Sequence, residues 1–213
     1  MKDSVFLMTK FVWQTLLFIG LLAIISACQS DSIAVEVKNR PIVIPSNLPG
    51  DHFVAMVETP IGEYRSISVD LSSKSLDTLK AEDKYVINAF LPHPVNQAFI
   101  PLSKGGAPTK LPVWIIGIPK LAGDTITIDP LGLIEYTMDG EKRSEIVAIP
   151  ADPTQQTIHP LNFTEFIIEY DAVKYLVEGW LRNRQGLGKV NQLTWKDQVK
   201  AQNYINDLLS ESE

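Results

Sequence analysis

Between Phe53 and Pro150 the chain repeats one device: a short run of β-branched, aromatic and aliphatic residues, then a turn signal. Phe53–Glu58 is closed by Thr59-Pro60-Ile61-Gly62, and Tyr64–Leu71 alternates, with Tyr64, Ile67, Val69 and Leu71 apolar. Ser72–Asp83 is polar and reads as a loop. Tyr85–Leu91, Val113–Ile118 before Pro119, and Thr125–Asp129 are further runs of the same kind. Leu131–Thr137 and Glu145–Ile149 flank Asp139-Gly140, a dipeptide suited to a hairpin turn. Runs of this length and period predict strands. After Pro150 the period changes. Phe163, Phe166, Ile167 and Tyr170 fall on one helical face. Thr194 with Asp197 resembles a capping box, and Trp195, Val199, Gln202, Ile205 and Leu209 continue a second helix. Lys174–Leu181, between the two, reads as a short strand. Strands first and helices later predict an α+β fold, a small twisted β-barrel flanked by two α-helices. At 213 residues, 45% hydrophobic and 21% charged, the chain has material for one core, which excludes a disordered, collagenous or coiled-coil protein.

The N-terminus is set apart. Lys2 and Lys10 precede an apolar run from Phe11 to Ala27, and the run ends in Ile25-Ser26-Ala27-Cys28. At about 17 residues it stands at the short limit for a membrane span. A basic start, an apolar middle and small residues at the end predict an export signal. Its last four residues resemble a bacterial lipobox, in which the cysteine thiol is lipidated and becomes the first residue of the mature protein. Cys28 is the one cysteine of the chain, so an internal disulfide is excluded. The predicted organisation is a lipoprotein signal peptide over residues 1–27, a tether over 28–49 and a domain over 50–213. Pro41, Pro45 and Pro49 punctuate the tether. The expected location is a bacterial cell envelope, with the membrane lipid reached through Cys28. The formal charge is −6, and it becomes −7 once Lys2, Lys10 and Asp3 leave with the leader. Nucleic acid is not an expected partner, because neutralising phosphates takes a basic surface. Homo-oligomer formation is open to such a chain.

No phosphate loop, dinucleotide fingerprint, paired-histidine zinc helix or Gly-x-Ser-x-Gly elbow is present in the sequence. His93 and His159 precede prolines, which favours loop positions, and a solvated loop histidine is the simpler expectation. Four stretches share a pattern with a known family. Val57-Glu58-Thr59-Pro60 matches a strand ending Ile-Glu-Ile-Pro. His93-Pro94-Val95-Asn96-Gln97-Ala98-Phe99-Ile100-Pro101 matches Tyr-Pro-x-Asn-Tyr-Gly-Phe-Ile-Pro. Gly132-Leu133, with Glu145-Ile146-Val147-Ala148-Ile149-Pro150, matches Gly-Val-Leu and Lys-Ile-Ile-Ala-Val-Pro. Phe166–Tyr170 followed by Val177-Glu178-Gly179-Trp180 matches the closing helix and Val-x-Gly-Trp. In order and in most spacings, Phe53 to Trp180 resembles the family I soluble inorganic pyrophosphatases. The resemblance implies a small, highly twisted, OB-like barrel flanked by helices.

It also implies magnesium ions clamped by carboxylates, which generate a hydroxide and neutralise the leaving phosphate. The clamp is where this chain departs. Ala107-Pro108-Thr109-Lys110-Leu111-Pro112 stands in place of the family's Asp-x-Asp-Pro-x-Asp, and no carboxylate occurs from Pro101 to Ile118. A family aspartate and lysine fall at Arg143 and Glu145, two tyrosines at His93 and Gln97, and a basic residue at Asp171. Glu58, Asn96 and Tyr170 survive. The resemblance makes Asn96, Tyr170, Lys104 and Lys110 candidates for binding a small phosphate-type anion. It makes Glu58, Asp139 and Glu141 candidates for holding magnesium if the protein is active. Each has a plainer reading: a solvated carboxylate, a turn former, helix-face packing or a solvated lysine. The functional expectation is a lipid-anchored pyrophosphatase homologue, catalytically impaired, that works as a binding or scaffold protein. The alternatives are an active magnesium-dependent diphosphatase and a structural envelope lipoprotein with no small ligand.

Overall fold

A computed structural model describes residues 42–47, 49–78, 80–81, 84–85, 91–104, 106–184 and 188–211. The leader, Cys28 and most of the tether lie outside these. Ten strands are present among the described residues: β1 (Phe53–Thr59), β2 (Ile67–Asp70), β3 (Ser75–Thr78), β4 (Lys80–Ala81), β5 (Lys84–Tyr85), β6 (Asn96–Lys104), β7 (Ala107–Ile115), β8 (Thr125–Met138), β9 (Glu141–Pro150) and β10 (Val190–Lys196). Three α-helices complete it: α1 (Phe163–Glu169), α2 (Asp171–Asn183) and α3 (Gln198–Ser210). The main sheet runs β1-β6-β7-β9-β8-β10, and β1 also pairs with β8. That pairing closes five strands into a barrel and leaves β10 as an added strand on β8. The pair β7–β9 is parallel and every other pair is antiparallel. The fold is therefore the α+β barrel that the alternating runs predict.

Period-two alternation lets each strand bury both faces. One set of side chains converges from all five barrel strands: Phe53, Ala55, Val57, Ile100, Val113, Ile128 and Ile146 among them. Ala201, Ile205 and Leu209, spaced four residues apart on α3, pack into this set. The alternate residues of β7, β8 and β9 point the other way. Trp114, Ile134, Tyr136 and Val147 form a second core, covered by Phe166 of α1 and by Val177, Trp180 and Leu181 of α2. A third, smaller core joins Ile42, Met56, Val69 and Phe99.

Local chemistry sets the joints. Asp139 and Gly140 both take positive φ, at 51° and 85°, as a two-residue hairpin turn between β8 and β9 requires. Asn162 caps α1 by accepting the Glu165 amide, and Asp197 caps α3 by accepting the Lys200 amide. At Gly132 a Cβ would stand 2.7 Å from the Lys196 carbonyl, so only glycine lets β10 approach β8 there.

Several boundaries differ from expectation. Thr125–Asp129 and Leu131–Thr137 are one strand, bent by a register shift between Pro130 and Gly132. Lys174–Leu181 is not a strand but lies within α2: Val173, Val177, Trp180 and Leu181 fall on one helical face toward the second core. Asp171 in its first turn and Arg182 in its last suit the helix dipole. Thr194 and Trp195 belong to β10, so the helix begins after Asp197 rather than Thr194. Only Ile67–Asp70 of Tyr64–Leu71 is strand, β3 and β4 fall in the expected loop Ser72–Asp83, and β7 starts six residues before Val113. Of Tyr85–Leu91, residues 86–90 lie outside the described residues.

Candidate functional site

Glu58 is the last residue but one of β1, with its side chain turned toward β2 and β7. Its Oε1 accepts the Val69 amide at 2.9 Å and the Ser68 hydroxyl at 3.4 Å. It also accepts from Lys110 Nζ at 2.6 Å. Lys110 Nζ is 3.2 Å from Ser68 Oγ and 5.0 Å from the centre of the Phe99 ring. The pair is largely withdrawn from solvent, with 26% of the lysine side chain and 13% of the glutamate exposed. Both residues are thus brought together as predicted candidates, but as an ion pair. Neighbouring Asp70 makes its hydrogen bonds elsewhere, its Oδ1 accepting the Ser72 and Ser73 amides, while the Lys110 charge still reaches its carboxylate.

Asn96 is fully buried. Its Oδ1 accepts the amides of Ile61 and Lys120, both at 3.2 Å, and its Nδ2 donates to the Ile118 carbonyl at 3.0 Å. Every polar side-chain atom is committed to backbone, so Asn96 works as a clasp between two turns. Tyr170 sits at the α1–α2 junction with its hydroxyl accepting the His159 amide at 3.3 Å. Lys104 ends β6, opposite Ala107. Asp139 and Glu141 lie at the β8–β9 turn, half or more exposed, facing Lys189 at 2.9 Å and Arg143 at 3.5 Å. The three magnesium candidates therefore do not converge. Among the described residues, no three His, Cys, Asp or Glu side chains come together to hold a metal. The donor set does not fit magnesium, which demands octahedral oxygen coordination.

The chain builds instead a buried ionic and aromatic cluster on the second core. Glu145 projects from β9 and is 5% exposed. Its Oε1 accepts from Tyr136 Oη at 2.5 Å and Arg184 at 2.9 Å, and its Oε2 accepts from Trp114 Nε1. The Arg184 guanidinium also donates to Tyr136 Oη at 2.8 Å and stands 5.7 Å from the centres of the Trp114 and Trp180 rings. Trp180 meets Trp114 edge-on at 5.3 Å and donates its indole N–H to the Pro92 carbonyl at 3.1 Å. His93 lies on Trp180 with ring centres 4.3 Å apart. Burial, then the Glu145 charge, holds the Tyr136 phenol above its ordinary range.

One sequence expectation changes here. His93 is 2% exposed rather than a solvated loop residue, because the Trp180 and Trp114 rings pack against it. Glu145, which stands where the sequence pattern of the pyrophosphatases has a lysine, has Arg184 as a fixed internal cation at 2.9 Å. Arg184 carried no motif. The one signal was Glu145 itself, a charge in phase with Val147 and Ile149 on an apolar strand face.

Burial, then the Arg184 charge, pushes His93 down to about 4, against a smaller opposing effect of Glu63. An unfolded chain protonates this histidine near pH 6.5. Its contribution is therefore full above that pH and is lost as the pH falls toward 4, where the loss amounts to about 3 kcal/mol. Urea unfolding at pH 7 and pH 4.5 should show this loss, and His93→Leu should reduce it by about 2–3 kcal/mol. An equal acid sensitivity in both proteins would contradict the assignment.

No family model and no curated protein matches the chain. Solved structures do. An inorganic pyrophosphatase from Neisseria gonorrhoeae is 18% identical over 79% of this chain and 95% of that one, with a TM-score of 0.62. One from Coxiella burnetii is 14% identical over 81% and 100%, with a TM-score of 0.59. One from Thermus thermophilus is 16% identical over 84% and 99%, with a TM-score of 0.57. The closed barrel and its three helices are thus the fold of the inorganic pyrophosphatases.

Proposed function

We propose that this protein is a lipid-anchored, catalytically impaired homologue of the inorganic pyrophosphatases that acts as a binding or scaffold protein of a bacterial cell envelope. The observation that carries the reading is the pairing of its carboxylates. Glu58 is held by Lys110 and Glu145 by Arg184, at 2.6 and 2.9 Å. The stretch Ala107–Pro112 offers no carboxylate to replace them. Metal-assisted pyrophosphate hydrolysis needs open oxygen ligands around several cations. With Asn96 and Lys110 committed to partners within the protein, the geometry favours a scaffold over a receptor for a small phosphate-type anion.

The lipid anchor rests on Ile25-Ser26-Ala27-Cys28 behind its basic and apolar leader. Among the described residues, no helix is long and apolar enough to cross a membrane. Two acyl chains on Cys28 would give a stable anchor where one gives a marginal one. Mass spectrometry of the mature N-terminus reads this directly.

Phosphate release from pyrophosphate tests the catalytic part. The purified protein should stay at background with magnesium, manganese or zinc. Restoring single aspartates in Ala107–Pro112 should change little, because residues acting as a unit are strongly non-additive. Metal-dependent release by the unmodified protein, abolished by Glu58→Gln, would establish an active diphosphatase instead.

A further inference from the structure

The divalent ion implied by the fold family does not fit the residues present, and the misfit has a definite form. Ala107–Pro112 contains one charged residue, and it is a cation. Lys110 reaches from β7 to Glu58 on β1 and to Ser68 on β2. Glu58 in turn binds the Val69 amide of β2. One ammonium thus joins three strands of which no two pair directly, since β1 pairs with β6 and β8, β7 with β6 and β9, and β2 with β3.

The geometry points to Lys110 as a built-in counter-cation, which takes against Glu58 the place that a divalent ion would hold and makes the folded chain indifferent to such ions there. The ammonium occupies the position between Glu58 Oε1 and Ser68 Oγ, 2.6 and 3.2 Å away, so a divalent ion can reach these oxygens only when the lysine charge is gone. The ammonium is also tethered, so no binding equilibrium has to be maintained. Its remaining face lies over the Phe99 ring, 5.0 Å from the centre, where a monovalent cation is favoured. This inference rests on the reading of the chain as a homologue without its clamp.

Thermal unfolding of the purified protein tests it. The unmodified protein should melt within about 1 °C of the same temperature in chelator and in about 10 mM magnesium or manganese chloride. Lys110→Met keeps an apolar stem over Phe99 and removes the charge. It should melt lower and regain about 3 °C or more in manganese, because the buried Glu58 carboxylate is then open to a cation. That gain should vanish in Lys110→Met with Glu58→Gln, and Lys110→Arg should remain indifferent to metal. Stabilisation of the unmodified protein by manganese that disappears in Glu58→Gln would overturn the proposal, as would a folded Lys110→Met with no response. Should Lys110→Met fail to fold, recovery on refolding with manganese supports the proposal and failure to recover overturns it. Phosphate release by the unmodified protein would overturn the proposed function without moving these melting temperatures.

Discussion

Arg184→Met should destabilise the protein by about 3–5 kcal/mol, the cost of leaving one member of a buried ion pair without the other. The pair is withdrawn from solvent, with 11% of the Arg184 side chain and 7% of the Glu145 side chain exposed. Methionine preserves most of the stem packing between Trp114 and Trp180, so the loss is chiefly electrostatic. Glu145 would keep the Tyr136 hydroxyl and the Trp114 indole as donors but lose its counter-charge. Glu145→Gln should also destabilise, since it strands the guanidinium, whose Nε is already buried without a hydrogen-bond partner among the described residues. Replacing both, Arg184→Met with Glu145→Gln, should cost less than the sum of the two single changes, because neither charge is then left alone. Urea unfolding of the four proteins at pH 7 closes the cycle. Strict additivity would mean that the two side chains contribute independently.

The barrel was legible because its signal is local. β1, β8 and β9 are alternating or β-branched runs long enough to stand alone, and Asp139-Gly140 announces its own turn. β6 and β10 were not, for different reasons. Asn96–Lys104 is marked by prolines that suggest a turn, Pro94 before it and Pro101 within it, yet all nine of its residues pair with β7 in an unbroken ladder. Val190–Lys196 is an outer strand with mixed polarity, and its pairing with β8 is decided by Gly132, far away in sequence. The misread of α2 arose from Tyr175-Leu176-Val177, three apolar residues in a row. Only Val177 of the three is buried, and the helical period appears when Val173, Trp180 and Leu181 are counted with it.

The site divides in the same way. The absence of carboxylates from Pro101 to Ile118 is a property of the sequence and needs no coordinates. What fills their role depends on contacts between distant residues: 52 positions separate Glu58 from Lys110, and 39 separate Glu145 from Arg184. No spacing rule links such pairs. Lys110 entered as a candidate for anions, and the structure gives it a carboxylate partner within the chain. Asn96 matches the sequence pattern at a position where its amide fastens two turns, a contact that the sequence does not display.

Phe166→Ala should cost about 3–5 kcal/mol, the range for truncating a large aromatic side chain in a core. Phe166 is fully buried, at 0% exposure, and its ring lies 5.9 Å from that of Trp195. Through this residue the first helix is fixed to the second core, alongside Val177, Trp180 and Leu181. Alanine would leave a void lined by rigid elements: β8 and β9 on the barrel side, α2 beside it and β10 at the edge. Strands locked in a closed barrel cannot collapse inward to refill it, which places the effect toward the upper part of the range. Ile168, two residues on, gives the control. It points away from the core at 68% exposure, and Ile168→Ala should change stability by no more than about 0.5 kcal/mol. The contrast isolates burial, since both changes remove an apolar side chain from the same seven-residue helix. Urea midpoints for the two variants at pH 7 measure it, and equal losses would show that α1 does not dock on the barrel through Phe166.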